Sequence, residues 1–218
     1  DGVTLGDHYD DDPRILPSLR DPTDPLCAPV NYVESATGYN PGIRIEGGDG
    51  DGAWVLWTVV VQGRVFMRRE VTCPFEAMDR SVEQIVARDP GAMVVVEAHA
   101  EATSEKGGLA YHAACNWPGR VIAVVGSHTH VQTSDARIIE GCTAAITDLG
   151  MCGASAGIIG FDAARSVASL KGTRGGLRIA EGEPVATGVL VEADADSRRA
   201  VAVEPLRIAL PSEADAGG

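Results

Sequence analysis

The 218-residue chain carries 31 acidic and 18 basic residues, a formal net charge of −13. That balance excludes a generally basic nucleic-acid surface but leaves phosphorylated substrates open, because bound metal ions reverse the field locally. A hydrophobic content of 44% supports a substantial core in one large domain, and no apolar run is long enough for a membrane span.

In chain order, residues 3–5 read as a short strand ending in Gly-Asp-His, which places Asp7 and His8 just beyond it. Residues 10–29 hold five prolines and several aspartates, so they predict extended or turn structure with at most one short helical turn. The glycine-rich acidic stretch at 38–52 reads as a solvated loop or hairpin; it lacks the remaining ligand positions of a calcium loop. Residues 54–67 predict a long β-segment interrupted at Gly63. After Pro74, the spacing of Met78, Val82, Ile85 and Val86 predicts an amphipathic helix. The apolar run at 93–97 predicts a buried strand with His99 just past it, followed by a helix over about 101–115. Residues 121–125 predict a second buried strand, which runs into the loop that holds His128 and His130. A strand is expected around 143–149, and a helix over 161–172 closed by Gly172. The C-terminal part shows strand candidates at 177–182, 186–194 and 199–208, the last two as an antiparallel hairpin. Residues 211–218 read as a disordered tail. The whole reads as a single α/β domain over residues 1–210.

The five cysteines, Cys27, Cys73, Cys115, Cys142 and Cys152, are odd in number and form no CxxC pair. They fit reduced thiols in a cytoplasmic protein rather than a disulfide framework or a cysteine-rich zinc site. The histidines carry the chemistry. Four of the five (His8, His99, His128 and His130) fall beside strand ends, where sites in open α/β sheets gather, and imidazole is the commonest transition-metal ligand. His128 and His130 alternate along the chain, so both face one site only if the backbone turns between them, at Thr129 or after Gly126. With two ions, each histidine could instead serve a different one; such pairs clamp a phosphoryl group and generate hydroxide near neutral pH. The competing reading is a set of loop histidines bonded to backbone.

The segments HAEATSEK (99–106), GSHTHVQT (126–133) and ITDLGMCG (146–153), with GDH (6–8) and QGRVFM (62–67), resemble the YmdB-like branch of the calcineurin-like metallophosphoesterases. The resemblance runs from the first residue to about residue 193. It implies a four-layer α/β/β/α sandwich, a dinuclear iron or manganese centre, and hydrolysis of phosphodiesters such as 2′,3′-cyclic AMP. Carried over by motif, Asp7, His99, His128 and His130 are metal ligands and His8 is the general acid that protonates the leaving group. The family's usual GNH is GDH here, so Asp7 takes an Asn position. The family pattern also begins with two strands, one carrying an Asp ligand and one ending in a bridging Glu, which the chain as given lacks. It therefore reads as N-terminally incomplete, with Asp7, His99 and His128 on one ion and only His130 on the other.

Among neighbouring residues, Glu97, Asp135 and Asp148 are candidates for orienting a ligand. Glu101, Glu105 and Lys106 are placed in the first turns of the helix after His99, where acidic groups suit the helix terminus. Asn31 and Tyr39 fall in a stretch that loosely matches the family's substrate-side loops. His112 reads as structural, and Cys152 lacks a base to make it a nucleophile. The leading function is a metal-dependent phosphodiesterase acting on a small diester or nucleotide. Neither a membrane nor a stable nucleic-acid complex is expected, and homo-oligomerisation is left open. The alternative is a catalytically impaired fragment or non-catalytic remnant that binds phosphate or a partner. A mononuclear zinc hydrolase built on Asp7, His99 and His128 is the third reading.

Overall fold

A computed structural model describes residues 1–32, 41–173 and 175–209. Its centre is a six-stranded sheet of β3 (Ile43–Gly47), β4 (Trp54–Gln62), β5 (Met93–His99), β6 (Val121–Ser127), β8 (Thr143–Ile146) and β7 (Arg137–Ile139), in that spatial order. Strands β4, β5, β6 and β8 run parallel, and β3 and β7 close the two edges antiparallel. The apolar runs at β5 and β6 are buried on both faces, as parallel strands between two layers must be.

Helices α2 (Pro74–Arg88) and α3 (Thr103–Asn116) cover one face. Met78, Val82 and Ile85 from α2 and Leu109, Ala110 and Ala113 from α3 meet Val59, Val61, Val94, Val96 and Val124 of the sheet. Each fully buried Val or Leu there contributes about 1.5–3 kcal/mol. The other face is covered by a second sheet, in which β10 (Pro184–Asp194) and β11 (Arg199–Ala209) form an antiparallel hairpin and β9 (Cys152–Ala154) pairs with β10. Val189, Val191 and Val203 of the hairpin pack on Ile122, Ala123, Val125 and Ile146. This is the mixed α/β class that the sequence implies, with helices, main sheet and hairpin sheet stacked in that order.

A smaller unit precedes the main sheet. Strand β1 (Val3–Thr4) pairs parallel with β2 (Leu26–Cys27), and the proline-rich stretch between them holds one short helix, α1 (Leu16–Arg20). Tyr9, Leu19, Ala28 and Tyr32 form its core. Helix α4 (Ala163–Leu170) starts at Asp162, whose carboxylate caps the Arg165 N–H at 2.9 Å. It leaves Val167 and Leu170 exposed and enters none of the buried clusters among the described residues.

Several expected elements are corrected. Strand β4 stops at Gln62 instead of running to 67, because the Glu105 carboxylate captures the Arg64 and Val65 N–H groups that a continuing strand would have to pair. Residues 177–182 form no strand; Ile179 makes only an isolated bridge to Phe161, and β9 takes the place beside β10. Of the two alternatives for 38–52, loop or hairpin, residues 43–47 take the second: β3 pairs antiparallel with β4 across a short turn. Tyr39 and the tail at 211–218 lie outside the described residues.

Candidate metal centre

The parallel strands β5 and β6 end in step, with His99 opposite Ser127. His99 is therefore the last residue of its strand and His128 the first beyond its neighbour. Asp7 reaches the same point from the loop after β1. A Cβ at Gly6 would lie 2.2 Å from the His99 ring, so only glycine lets this loop cross the imidazole closely enough to deliver Asp7.

Three ligand atoms converge. Asp7 Oδ1 is 2.9 Å from His99 Nε2, His128 Nδ1 is 3.2 Å from His99 Nε2, and His128 Nδ1 is 3.7 Å from Asp7 Oδ1. Donors held on one ion at about 2.1 Å stand about 3.0–3.4 Å apart; two sides of this triangle lie close to that spacing and the third, between His128 and Asp7, is a few tenths of an ångström wider. The outer nitrogens settle which lone pairs face inward. His99 Nδ1 donates to Ser127 Oγ at 2.9 Å, and Ser127 in turn donates to Glu97 Oε1 at 2.5 Å. His128 Nε2 lies 3.3 Å from Glu101 Oε2. With both outer nitrogens turned to acceptors, His99 Nε2 and His128 Nδ1 present lone pairs to a carboxylate oxygen. Three acceptors at that distance repel unless a positive charge joins them, and the residues fit a metal ion.

The carboxylates also draw positive charge onto the rings themselves. Burial opposes a charged His99, but Glu97 and Asp7 outweigh it and raise its pKa. Burial also works against the ionised Asp7, yet its close approach to His99 and the charges of the nearby imidazoles hold its pKa down. Burial and the neighbouring His99 push His128 down, toward the neutral form that binds metals. Among the described residues, Asp7, His99 and His128 are the one such cluster of His, Cys, Asp or Glu.

His130 stands apart from the trio. Its Nδ1 donates to the Ile159 carbonyl at 3.0 Å. The divergence comes from the backbone: His128 has φ +100° and His130 φ +65°, left-handed values that cost about 1–3 kcal/mol at non-glycine residues. The turn between the two rings thus lies in the loop after Gly126 and is made by the histidines themselves, not by Thr129. Asp148 holds this loop in place. Its Oδ2 accepts from the Thr129 N–H (3.1 Å), Thr129 Oγ1 (2.8 Å) and the buried Lys106 Nζ (2.8 Å), and its Oδ1 from the Gly150 N–H (2.9 Å). His8 is 78% exposed; its Nδ1 bonds Asp11 Oδ2 at 2.9 Å, and its Nε2 lies 4.0 Å from Asp7 Oδ1.

The remaining candidates sort by contact. Glu97 reaches His99 through Ser127, a member of the GSHTHVQT motif that stands directly before His128. Glu101 precedes α3 rather than lying in it, and touches His128. Glu105 caps the 63–65 turn and Lys106 pairs with Asp148, so both build the scaffold. Asp135 secures Thr147, Thr133 and Arg137; burial opposes its ionisation, but those hydrogen bonds hold its pKa well below the usual carboxylate range. Asn31 is buried and clamps Gln62 and Thr72 through backbone hydrogen bonds of 2.7–3.0 Å, so its side chain is structural instead of substrate-facing. His112 bonds Asp79 at 3.0 Å on the helical side.

Fold and site together define an α/β protein with a carboxylate–histidine cluster, of a kind that could hold a metal ion, at the carboxyl ends of its parallel strands. The chain belongs to the YmdB-like protein family, whose model matches residues 1–206. It is 35% identical over 210 residues to the 2′,3′-cyclic-nucleotide 2′-phosphodiesterase of Bacillus subtilis (strain 168), spanning 95% of this chain and 74% of that protein. A Thermus thermophilus structure described as a hypothetical protein superposes with a TM-score of 0.81 at 34% identity, covering 97% of this chain and 77% of the other. A Mycoplasma pneumoniae structure described as a novel phosphatase gives 0.79 at 25% identity, covering 95% and 72%. No helix among the described residues is long and apolar enough to cross a membrane.

Proposed function

We propose that this chain is a metal-dependent phosphodiesterase that hydrolyses 2′,3′-cyclic nucleotides, with iron or manganese held by Asp7, His99 and His128 and a second ion served by His130. The observation that carries the reading is the convergence of Asp7 Oδ1, His99 Nε2 and His128 Nδ1 within 3.7 Å of one another. The name of the Bacillus subtilis relative supports the substrate class. Five free thiols support a cytoplasmic setting.

Metal ions held by these residues would supply Lewis acidity toward a phosphoryl oxygen and lower the pKa of water. The protein's own part is positional. Glu97 and Ser127 fix the His99 ring, Glu101 fixes His128, and Asp148 fixes the loop that presents His128 and His130. His8, on the solvent side of Asp7, gives its proton to the departing alkoxide, and Asp11 holds its ring by Nδ1 so that Nε2 faces the reaction. Hydrolysis of bis-p-nitrophenyl phosphate with added manganese tests this. Wild-type turnover should fall at least about 100-fold in His128→Ala, and in His8→Ala turnover of 2′,3′-cyclic AMP, whose leaving alkoxide needs the proton, should fall by about 10²–10⁴-fold with metal content unchanged. Equal rates in wild type and His128→Ala would defeat the enzymatic reading.

One observation favours a second reading, a phosphate-binding remnant without catalysis: His130 is bonded to the Ile159 carbonyl and joins no group of three or more such ligands among the described residues. Metal analysis separates the two. Two tightly bound ions per chain support the dinuclear enzyme, whereas a single ion with no turnover supports the remnant.

A further inference from the structure

His130 also borders a cavity of about 250 Å³ between the loop after β6 and the β9–β10–β11 sheet. This is slightly below the range of about 300–1,000 Å³ usual for small-molecule sites, a volume suited to one ring system. Its walls differ in kind. Met151 and Val185 give an apolar flank, and Gln132, Ser155, Thr187 and Arg207 give a polar one.

The strand register explains how an arginine comes to lie there. Arg207 pairs with Thr187 across the hairpin, and Val189 and Val203 lie two and four residues along their strands. By alternation these side chains share one face. Over the core that face is apolar, with Val189 and Val203 packed beneath the main sheet; past the core the same face becomes Thr187 and Arg207. In a chain of net charge −13, Arg207 makes no ion pair or side-chain hydrogen bond among the described residues. The floor beside it is fixed. Gln132 Nε2 donates to the carbonyls of Gly188 (2.8 Å) and Leu206 (3.0 Å), one on each strand, which leaves Oε1 as an acceptor. Thr187 Oγ1 donates to the Met151 carbonyl at 2.8 Å.

A fixed acceptor, a free guanidinium, two hydroxyls and a polarisable thioether wall are the components of a site for a planar heteroaromatic ring. Resting on the phosphodiesterase reading, we propose that this cavity holds the nucleoside portion of the substrate. The base lies against Met151 and Val185, Arg207 donates to acceptor atoms on the base edge, and the phosphate lies toward His130. Arg207 is then a specificity residue that touches substrate and takes no part in the chemical step.

Two substrates separate this from a general loss. Arg207→Ala, and the length-retaining Arg207→Met in case the first fails to fold, should lower kcat/KM for 2′,3′-cyclic nucleotides by about 10–100-fold. Both should leave bis-p-nitrophenyl phosphate, which has no nucleoside, within about twofold. Equal losses on the two substrates, or no loss on either, would overturn the proposal. If the wild-type chain hydrolyses neither diester with manganese, the phosphodiesterase reading fails and the cavity is decided by binding alone. Calorimetric titration of the metal-free chain with adenosine 3′-monophosphate should then show weaker binding in both variants. Unchanged affinity, or no binding by wild type, would sink the assignment.

Discussion

The two sides of the metal centre are built differently. On the inner side the two candidate ligand histidines are held from behind: Glu97 and Ser127 hold His99, and Lys106, Asp148 and Thr129 hold the turn that carries His128. On the outer side His8 is 78% exposed and steadied by a single carboxylate that is itself 65% exposed. The proposed ligands His99 and His128 would have to keep their direction through the whole cycle, which anchoring at the sheet ends provides. The proposed proton donor His8 would have to exchange with solvent, which its exposed loop, shared with Asp7, allows.

Three substitutions probe that contrast, in falling order of effect. Asp148→Ala leaves the Lys106 ammonium buried without its carboxylate and should cost about 3–5 kcal/mol in a urea titration. The double change Lys106→Met, Asp148→Leu should recover much of that; if it is as damaging as the single change, the charge pair is not what the inner side depends on. Ser127→Ala cuts His99 from Glu97 and should weaken manganese affinity by about 10–100-fold while the melting temperature stays close to wild type. Unchanged affinity would show that strand geometry alone orients the ring. Asp11→Asn removes an exposed partner of the kind worth about 0.2–1 kcal/mol, so stability should be unaffected and turnover should drop less than about fivefold. A loss as deep as that of His8→Ala would mean that the outer side is as constrained as the inner.

What could be read in advance follows the same division. Buried β5 and β6 announce themselves as apolar runs, α2 by its helical spacing, and the hairpin by two β-rich stretches around a polar turn. The ligand histidines were legible because they sit directly after those runs in motifs characteristic of the family. Strand β3 showed only as one of two alternatives, since Ile43–Gly47 is short, flanked by glycine and paired only through β4. Arg207 was hidden for another reason, and Ser127 showed only as a neighbour of the histidines in GSHTHVQT. Both matter through the residue that lies opposite on the next strand, His99 for Ser127 and Thr187 for Arg207. Asp148 showed as a candidate near the loop, but its buried partner Lys106, far earlier in the chain, read as an ordinary helix terminus.

The alignment of His99 with Ser127 across β5 and β6 has a consequence for folding. A slip of one residue between these strands would set Gly126 opposite His99 and carry Ser127 to the other face of the sheet. Glu97 would lose its link to the imidazole, and His128 would be displaced from Asp7. The cradle therefore exists only in the correctly paired sheet, and a cation that binds it rewards that pairing over its nearest misfolded neighbour. Metal binding would then act as a proofreader of strand alignment.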